Sequence, residues 1–414
     1  MKKSFGHTQL KRILRLLAVL TIKKYNPAII GVTGTVGKTS TKEAVYAVVG
    51  KIRRTRRSSR NFNNEIGVPL TILGDWLEVG GLLFWCSVIM RAVINLLFRH
   101  EYPEVLVLEY AADRPGDIRY LTEIARPKIA IITAVGDIPV HVAFYQGGPE
   151  AVTREKACLI ENVSASGYTV LNYDDDRVMG VMNRTRGRVM TFGFKSGAEV
   201  KVSSFENQTE QGRPAGISFK LEYGGSFIPI RMSGVYGRPP AYAAAAAATV
   251  GIILGMNLVR IAEALSYFEP PEQRMSLLLG LRGSIIFDDS YNAAPLSMKA
   301  AIETVRSFTA KRKVAIVGDM LELGSYTVQA HQEIGTLAGK VFDELITVGP
   351  GGKLMAIAAQ KSGLSKKSIQ SFASAEEARL SVRNLIKSGD LVLIKASRAM
   401  NLERIVEDLV KSKR

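Results

Sequence analysis

Ile29-Ile30-Gly31-Val32-Thr33-Gly34-Thr35-Val36-Gly37-Lys38-Thr39-Ser40-Thr41-Lys42 is a short apolar run, then a glycine-spaced turn, then Lys-Thr-Ser. The run reads as a buried strand, and the segment from Lys38 as the first turn of a helix. Between them lies the recipe for a phosphate cradle. Glycines let backbone N–H groups approach an anion, the helix N-terminus adds its positive dipole, and Lys38 supplies a full charge. Gly34, Thr35, Val36, Gly37 and Lys38 are therefore candidates to wrap nucleotide phosphates, with Thr39 or Ser40 on Mg²⁺. Val32 stands where the strict pattern Gly-x-x-x-x-Gly-Lys-Ser/Thr has its first glycine. The spacing alone thus also admits an ordinary glycine-rich strand-to-helix turn.

Working outward, Val105-Leu106-Val107-Leu108-Glu109 reads as a buried parallel strand ending in a carboxylate. Ligands bind at the carboxyl ends of such strands, which sets Glu109 beside the phosphate loop as a metal-holding candidate. Its plain alternative is an edge carboxylate on a loop. Lys128–Ala134 predicts another strand, followed by a segment carrying the lone His141. From about Val170 to Met232 short alternating runs with glycine turns, such as Val189–Phe194 and Ile217–Leu221, predict antiparallel strands. Ala243–Ala248 reads as a structural helix whose small side chains permit close packing. Pro270-Pro271 marks the expected boundary. Beyond it Ser284–Asp288, Lys313–Val317, Glu344–Val348 and Leu391–Lys395 alternate with helical patterns, which predicts a second doubly wound α/β unit.

The chain of 414 residues is long for one core, and its apolar content of 47% excludes a disordered protein. Cys86 and Cys158 form neither a disulfide framework nor a metal cluster, which fits a reducing cytosol. The net charge of +17 comes without zinc-finger spacing, an RNP motif or a long basic tail, so nucleic acid is not the expected partner. Part of the excess lies in the run Lys51–Arg60, read either as attraction for anionic substrates or as a solvated face. More lies in the first 24 residues. There Leu10, Ile13, Leu14, Leu17 and Leu20 recur at helical spacing among Lys11, Arg12, Arg15, Lys23 and Lys24. This is a basic amphipathic helix, not a signal peptide. Leu82–Phe98 is apolar, but Arg91 near its middle would cost roughly 2.5–3.5 kcal/mol in a bilayer. It is expected to pack on the first helix or to lie on a membrane surface, in peripheral contact through residues 1–24 and 82–98.

Taken together these stretches resemble the Mur ligases, the ATP-dependent amide-forming enzymes of peptidoglycan assembly, and most nearly the MurF type. The resemblance runs from about residue 27 to the end. It rests on Thr33–Ser40, Asn63-Asn64-Glu65-Ile66-Gly67-Val68-Pro69, Glu109 with Pro115-Gly116-Asp117-Ile118, and Glu155-Lys156. Asp288-Asp289-Ser290-Tyr291-Asn292-Ala293-Ala294-Pro295, Gly318–Gly324 and Lys395-Ala396-Ser397-Arg398 complete it in family order. It implies a P-loop ATPase-type central domain with a mainly parallel sheet and a small antiparallel sub-sheet, then a Rossmann-like C-terminal domain. The expected division is 1–26 as basic helix, 27–269 as ATP-binding domain and 270–414 as C-terminal domain.

The activity implied is amide formation in the cytoplasm through an acyl phosphate. ATP would become ADP, and D-alanyl-D-alanine would join a UDP-linked muramoyl tripeptide. Phosphoryl transfer of this kind asks for positioning and charge neutralisation rather than covalent help. By the resemblance, Lys38 holds the β- and γ-phosphates, Thr39 and Glu109 one Mg²⁺, and His141 with a carbamylated Lys156 a second. Arg274 and Asn292 match nucleotide-contacting positions. Asn63, Asn64, Asp319, Glu322, Ser397 and Arg398 match the substrate side, and His331 is expected to be structural. Without the resemblance Lys156 reads as a helix-surface lysine. Departures from the family include Val36 for Asn, Gln273 for Gly, Ala294 for Asn, and Val142-Ala143 for Leu-Glu. Tyr236 and Pro240 stand for His and Asn. Only about 26 residues precede the phosphate strand, where MurF-type enzymes carry a domain that grips the UDP-sugar. Rival readings are a Mur-type ligase for another carboxylate or a lipid-linked acceptor, and a non-catalytic nucleotide-binding scaffold at a membrane.

Overall fold

The structure is a computed structural model that describes residues 5–59, 62–98 and 100–410. Residues 1–4 of the basic N-terminal segment and Arg60 of the basic run lie outside the described residues. The chain opens with helix α1 (Phe5–Tyr25), strand β1 (Ala28–Thr33) and helix α2 (Lys38–Val49). Then come β2 (Thr55–Arg57), α3 (Gly67–Leu73), α4 (Leu82–Leu97), β3 (Val105–Glu109), α5 (Asp117–Ile124) and β4 (Ile129–Ile132). Helix α6 (Gly148–Glu161), β5 (Tyr168–Asn172), α7 (Asp176–Met179) and β6 (Arg188–Gly193) follow. Strands β7 (Val200–Glu210), β8 (Arg213–Tyr223) and β9 (Ser226–Ser233) lead into α8 (Arg238–Ile253) and α9 (Leu258–Leu265).

These strands make one sheet in the order β2-β3-β1-β4-β5-β6-β7-β8-β9. It is parallel as far as the β6–β7 pair and antiparallel from β7 to β9. The antiparallel strands thus extend the main sheet. Val189–Phe194 corrects one expectation, because β6 runs parallel to β5 in the register Val170↔Met190. The connection through α7 is a crossover that returns the chain in the same direction, and alternation by itself does not reveal strand direction.

Period-two burial explains the layering. On β1, β3 and β4, Ile30, Val32, Val105, Val107, Ile129 and Ile131 enter one core with α2 and α8. Their neighbours Ile29, Leu106, Leu108, Ala130 and Ile132 enter the opposite core with α5 and α6. Strands buried on both faces read as continuous apolar runs, which is why the sequence displayed them. Leu14 and Leu17 of α1 meet Leu70 and Leu73 of α3 and Val88 and Ala92 of α4 in a satellite core. Lys24 Nζ donates to the carbonyls of Asn95, Leu96 and Phe98, capping α4 at its C-terminal end. Among the described residues no helix is long and apolar enough to cross a membrane.

The second sheet comprises β10 (Ser276–Leu279), β11 (Ile285–Asp288), β12 (Lys313–Gly318), β13 (Glu344–Val348), β14 (Ile369–Phe372) and β15 (Leu391–Lys395). Its order is β10-β11-β15-β12-β13-β14, parallel except for β10. Helices α10 (Pro295–Arg306), α11 (Thr327–Gly339), α12 (Gly349–Lys361), α13 (Ala375–Leu385) and α14 (Glu403–Leu409) cover its two faces. The basic run of residues 51–59 is partly spent on acids. Arg54 faces Glu101 and Glu104, Arg56 pairs with Asp75, and Arg57 with Glu43.

Candidate active site

The turn after β1 is built as a cradle. Gly34 has φ +146°, and a Cβ there would lie 2.0 Å from Thr133 Oγ1. Gly37 takes the left-handed conformation just before α2 (φ +83°), so the α2 N–H groups open into the turn. The opposite wall comes from the end of β4. Thr35 N donates to Ala134 O at 2.6 Å, and Thr133 Oγ1 donates to Val36 O at 2.6 Å. Lys38 folds back over the loop, its Nζ donating to the carbonyls of Gly34 (2.9 Å) and Thr35 (3.2 Å). Burial, only partly offset by Glu109, holds the Lys38 amine below the ordinary lysine range. Ser40 sits half-buried one residue beyond Thr39 on α2.

The register Val32↔Glu109 brings the end of β3 alongside the cradle. Glu109 is 2% exposed. Its Oε1 accepts from Asn63 Nδ2 at 3.0 Å, while Oε2 is buried with no hydrogen-bond partner. A buried carboxylate oxygen left this way costs on the order of 1–3 kcal/mol unless something fills the gap. A divalent cation held between it and nucleotide phosphates would satisfy it, with Thr39 across the cradle. Among the described residues no group of three or more His, Cys, Asp and Glu is arranged to hold a metal alone. An ion here would share its coordination with phosphate.

Lys156, expected on a surface from spacing alone, is 3% exposed on α6. Its amine has no hydrogen-bond or ion-pair partner among the described residues. Burial, and then the charge of Lys38, lowers its pKa to about 7. A neutral amine at physiological pH can condense with CO₂, so this site suits a lysine carbamate. Glu155 beside it turns away, accepting from Gly116 N and Ile118 N at 2.8 Å each to cap α5.

His141 stands between two carboxylates, with φ +69°. Its Nε2 lies 3.3 Å from Asp113 Oδ1 and its Nδ1 2.5 Å from Glu322 Oε2. Burial outweighs both acids and holds the imidazole below the ordinary histidine value. Glu322 also has a positive φ, +64°, and its carbonyl accepts from Ala143 N. Positive φ at two non-glycine residues that meet across a seam is strain at a working site. Asp113 is a residue the sequence reading missed. It follows β3 by four positions, so the strand-end rule that selected Glu109 also covers it.

The second sheet closes the cleft. Arg274 lies between Gln273 (φ +57°) and Met275 (φ +56°), and Met275 N donates to Asp289 Oδ1. Arg274 Nη2 donates to Thr39 Oγ1 at 3.2 Å, and its guanidinium stacks 4.4 Å over Tyr291. Arg398 lies on the same ring at 5.3 Å. Tyr291 was therefore a further omission. Asn292 follows it, and the Asn292 carbonyl accepts from the buried Lys395, whose Nζ lies 2.6 Å from Asp289 Oδ2.

Other expected substrate residues spend their side chains on backbone groups. Asn64 Oδ1 accepts from Ile66 N and Gly67 N at the start of α3. Asp319 Oδ1 accepts from Gly352 N in the first turn of α12. Ser397 Oγ accepts from Leu321 N and shapes the loop that carries Glu322. His331 is fully buried and accepts from Met320 N, a structural place.

With the geometry in hand, comparison with known proteins is informative. Residues 92–250 match the Mur ligase middle domain, and residues 273–398 the Mur ligase, glutamate ligase domain. A UDP-N-acetylmuramoyl-tripeptide–D-alanyl-D-alanine ligase of Bacillus subtilis (strain 168) is 30% identical over 401 residues, which cover 96% of this chain and 79% of the relative. MurF from Acinetobacter baumannii superposes with a TM-score of 0.78 at 25% identity, covering 95% and 79% of the two chains. MurF from Thermotoga maritima, in complex with ADP, gives 0.77 at 26% identity, covering 96% and 83%. Identity and fold shared along nearly the whole length are what common descent leaves behind, and this chain belongs to the Mur ligase family.

Proposed function

We propose that the chain adds D-alanyl-D-alanine to a UDP-N-acetylmuramoyl-tripeptide in peptidoglycan precursor synthesis, with ATP converted to ADP and phosphate. The observation that carries this is the convergence of the phosphate cradle, the unpartnered oxygen of Glu109 and the buried Lys156 in a chain 30% identical to such a ligase. The γ-phosphoryl passes to the peptide carboxylate, the dipeptide amine attacks the acyl phosphate, and phosphate leaves as the amide forms. Backbone N–H groups of the cradle and Lys38 would position the phosphates and neutralise their charge. Thr39 and Glu109 would hold one Mg²⁺, and His141 with a carbamylated Lys156 a second. Arg274 and Asn292 would contact the nucleotide from the C-terminal side. Arg398, Asn63 and the loop of Glu322 and Ser397 would border the peptide substrates, with Asn64 and Asp319 positioning backbone.

In this reading residues 27–269 are the ATP-binding domain and 270–414 the C-terminal domain. The enzyme works in the cytoplasm, in peripheral contact with the inner membrane face through residues 1–24 and 82–98. The test is phosphate release with Mg-ATP, UDP-N-acetylmuramoyl-tripeptide and D-alanyl-D-alanine, with mass spectrometry of the product. Release that needs both substrates, and a product heavier by the dipeptide less water, is expected. ATP binding without release would move the assignment to another carboxylate substrate.

A further inference from the structure

The paired helices α1 and α4 carry an apolar surface that the ligase chemistry does not use. Val88 and Ala92 face the satellite core, so α4 buries one side. Its other side should then be polar in a helix that meets only water. Instead Leu83, Met90, Val93 and Leu97 line it, at spacings that place them on one face, with Leu83 86% and Leu97 73% exposed. Ile13, Leu16 and Leu20 add exposed apolar positions of α1. An exposed apolar strip on a helix whose opposite side is already buried marks an interaction site.

Charge says what it meets. Neither Phe5–Tyr25 nor Leu82–Leu97 contains an acidic residue. Arg12 and Lys23 are exposed toward the two ends of the α1 strip, and Arg91 lies exposed beside Met90 on α4. Acids on adjoining elements are engaged, Glu65 by Lys11, Glu123 by Arg15 and Asp75 by Arg56. Helix α4 has 16 residues, about 24 Å at 1.5 Å per residue, too short for a hydrocarbon core of about 30 Å. An apolar strip bordered by cations on a short helix is the pattern of a segment lying in the plane of an interface.

We propose that α1 and α4 form a docking face for an anionic lipid surface, with the leucine side chains entering the acyl boundary and Arg12, Lys23 and Arg91 meeting phosphate headgroups. This deepens the peripheral contact named above and does not rest on the ligase chemistry. A Lys38→Ala protein, expected to lose ATP, should bind lipid as the unmodified chain does.

The experiment is flotation of the full chain with phosphatidylcholine vesicles, with and without phosphatidylglycerol, at low and high salt. Binding to the anionic vesicles, weakened by salt, is expected. Leu83→Glu with Met90→Glu should lower it about tenfold or more, since each change removes a buried apolar side chain from the bound state. Arg12→Glu with Lys23→Glu should abolish the preference for phosphatidylglycerol. Leu380→Glu, equally exposed but on α13, should change nothing. All these positions are exposed, so unaltered thermal unfolding is the check on folding. Equal binding to neutral and anionic vesicles, or undiminished binding of the folded Leu83/Met90 variant, would overturn the proposal. So would a soluble dimer that this variant dissociates.

Discussion

Lys156 provides a test at the scale of one residue. Below about pH 7 the folded and unfolded chains both hold its proton, and the cost of burying the cation is constant. From there up to the ordinary value of 10.5, the unfolded chain keeps a proton that the folded chain has released. Stability therefore rises with pH in that window. Urea unfolding at a series of pH values should show the rise, and Lys156→Met should flatten it. Near pH 7 and below, the variant should be the more stable protein by about 1–4 kcal/mol, yet inactive. Carbon-13 bicarbonate should yield a carbamate signal that Lys156→Met lacks. Gln273 is a second case. A side chain at φ +57° costs about 1–2 kcal/mol, part of which glycine would return to the unfolded state as chain entropy. Gln273→Gly should raise stability by up to about 1 kcal/mol in the same unfolding experiment. The departure from the family at this position thus acquires a physical meaning that sequence alone did not carry.

Among the elements, the parallel strands were legible because each is buried on both faces and reads as an apolar run. Thr55–Arg57 and Ile369–Phe372 were not, being short edge strands with partly exposed side chains. The direction of Val189–Phe194 was misread because strand polarity is set by the connection and not by the alternation. Helix α8 shows what small side chains accomplish. Ala243–Ala248 are all buried in the core where α8 packs on α2, the helix that presents Lys38 and Thr39. Ala244→Leu should overpack this contact, at a cost of about 1–3 kcal/mol. Displacement of α2 should also weaken nucleotide binding, which calorimetry with ADP would measure. Undisturbed ADP affinity in a destabilised variant would separate α8 from the cradle.

In the whole molecule, Arg274 to Thr39 and Glu322 to His141 are two of the contacts that cross from one sheet's elements to the other's. Each joins a residue of the C-terminal half to one expected to touch phosphate or metal. A nucleotide held at the cradle would therefore lie against residues of both halves, the arrangement of enzymes whose site is completed by domain movement. Glu322→Ala should leave the fold intact and, with His141 in the proposed metal-holding role, lower kcat about 10- to 100-fold, the usual effect of removing a partner that orients a ligand histidine. Glu322→Gln should recover part of the loss. Arg274→Ala should reduce the compaction that small-angle scattering records on adding Mg-ATP. Compaction equal to that of the unmodified chain would show that Arg274 does not couple the halves.

Local pattern was enough to determine the glycine-spaced turn between β1 and α2, the doubly wound units and the carboxylate at the end of β3, because strand burial and helix capping are written at short range. The family motifs further named Lys156, His141 and Glu322. Only the tertiary structure buried Lys156 against Lys38, aligned Asp113 with Glu322 around His141, and carried Arg274 to Thr39. A lowered pKa, a shared histidine and a cross-domain hydrogen bond depend on distance in space. Residues 235 apart in the chain, such as Arg274 and Thr39, acquire that distance only when both sheets have folded.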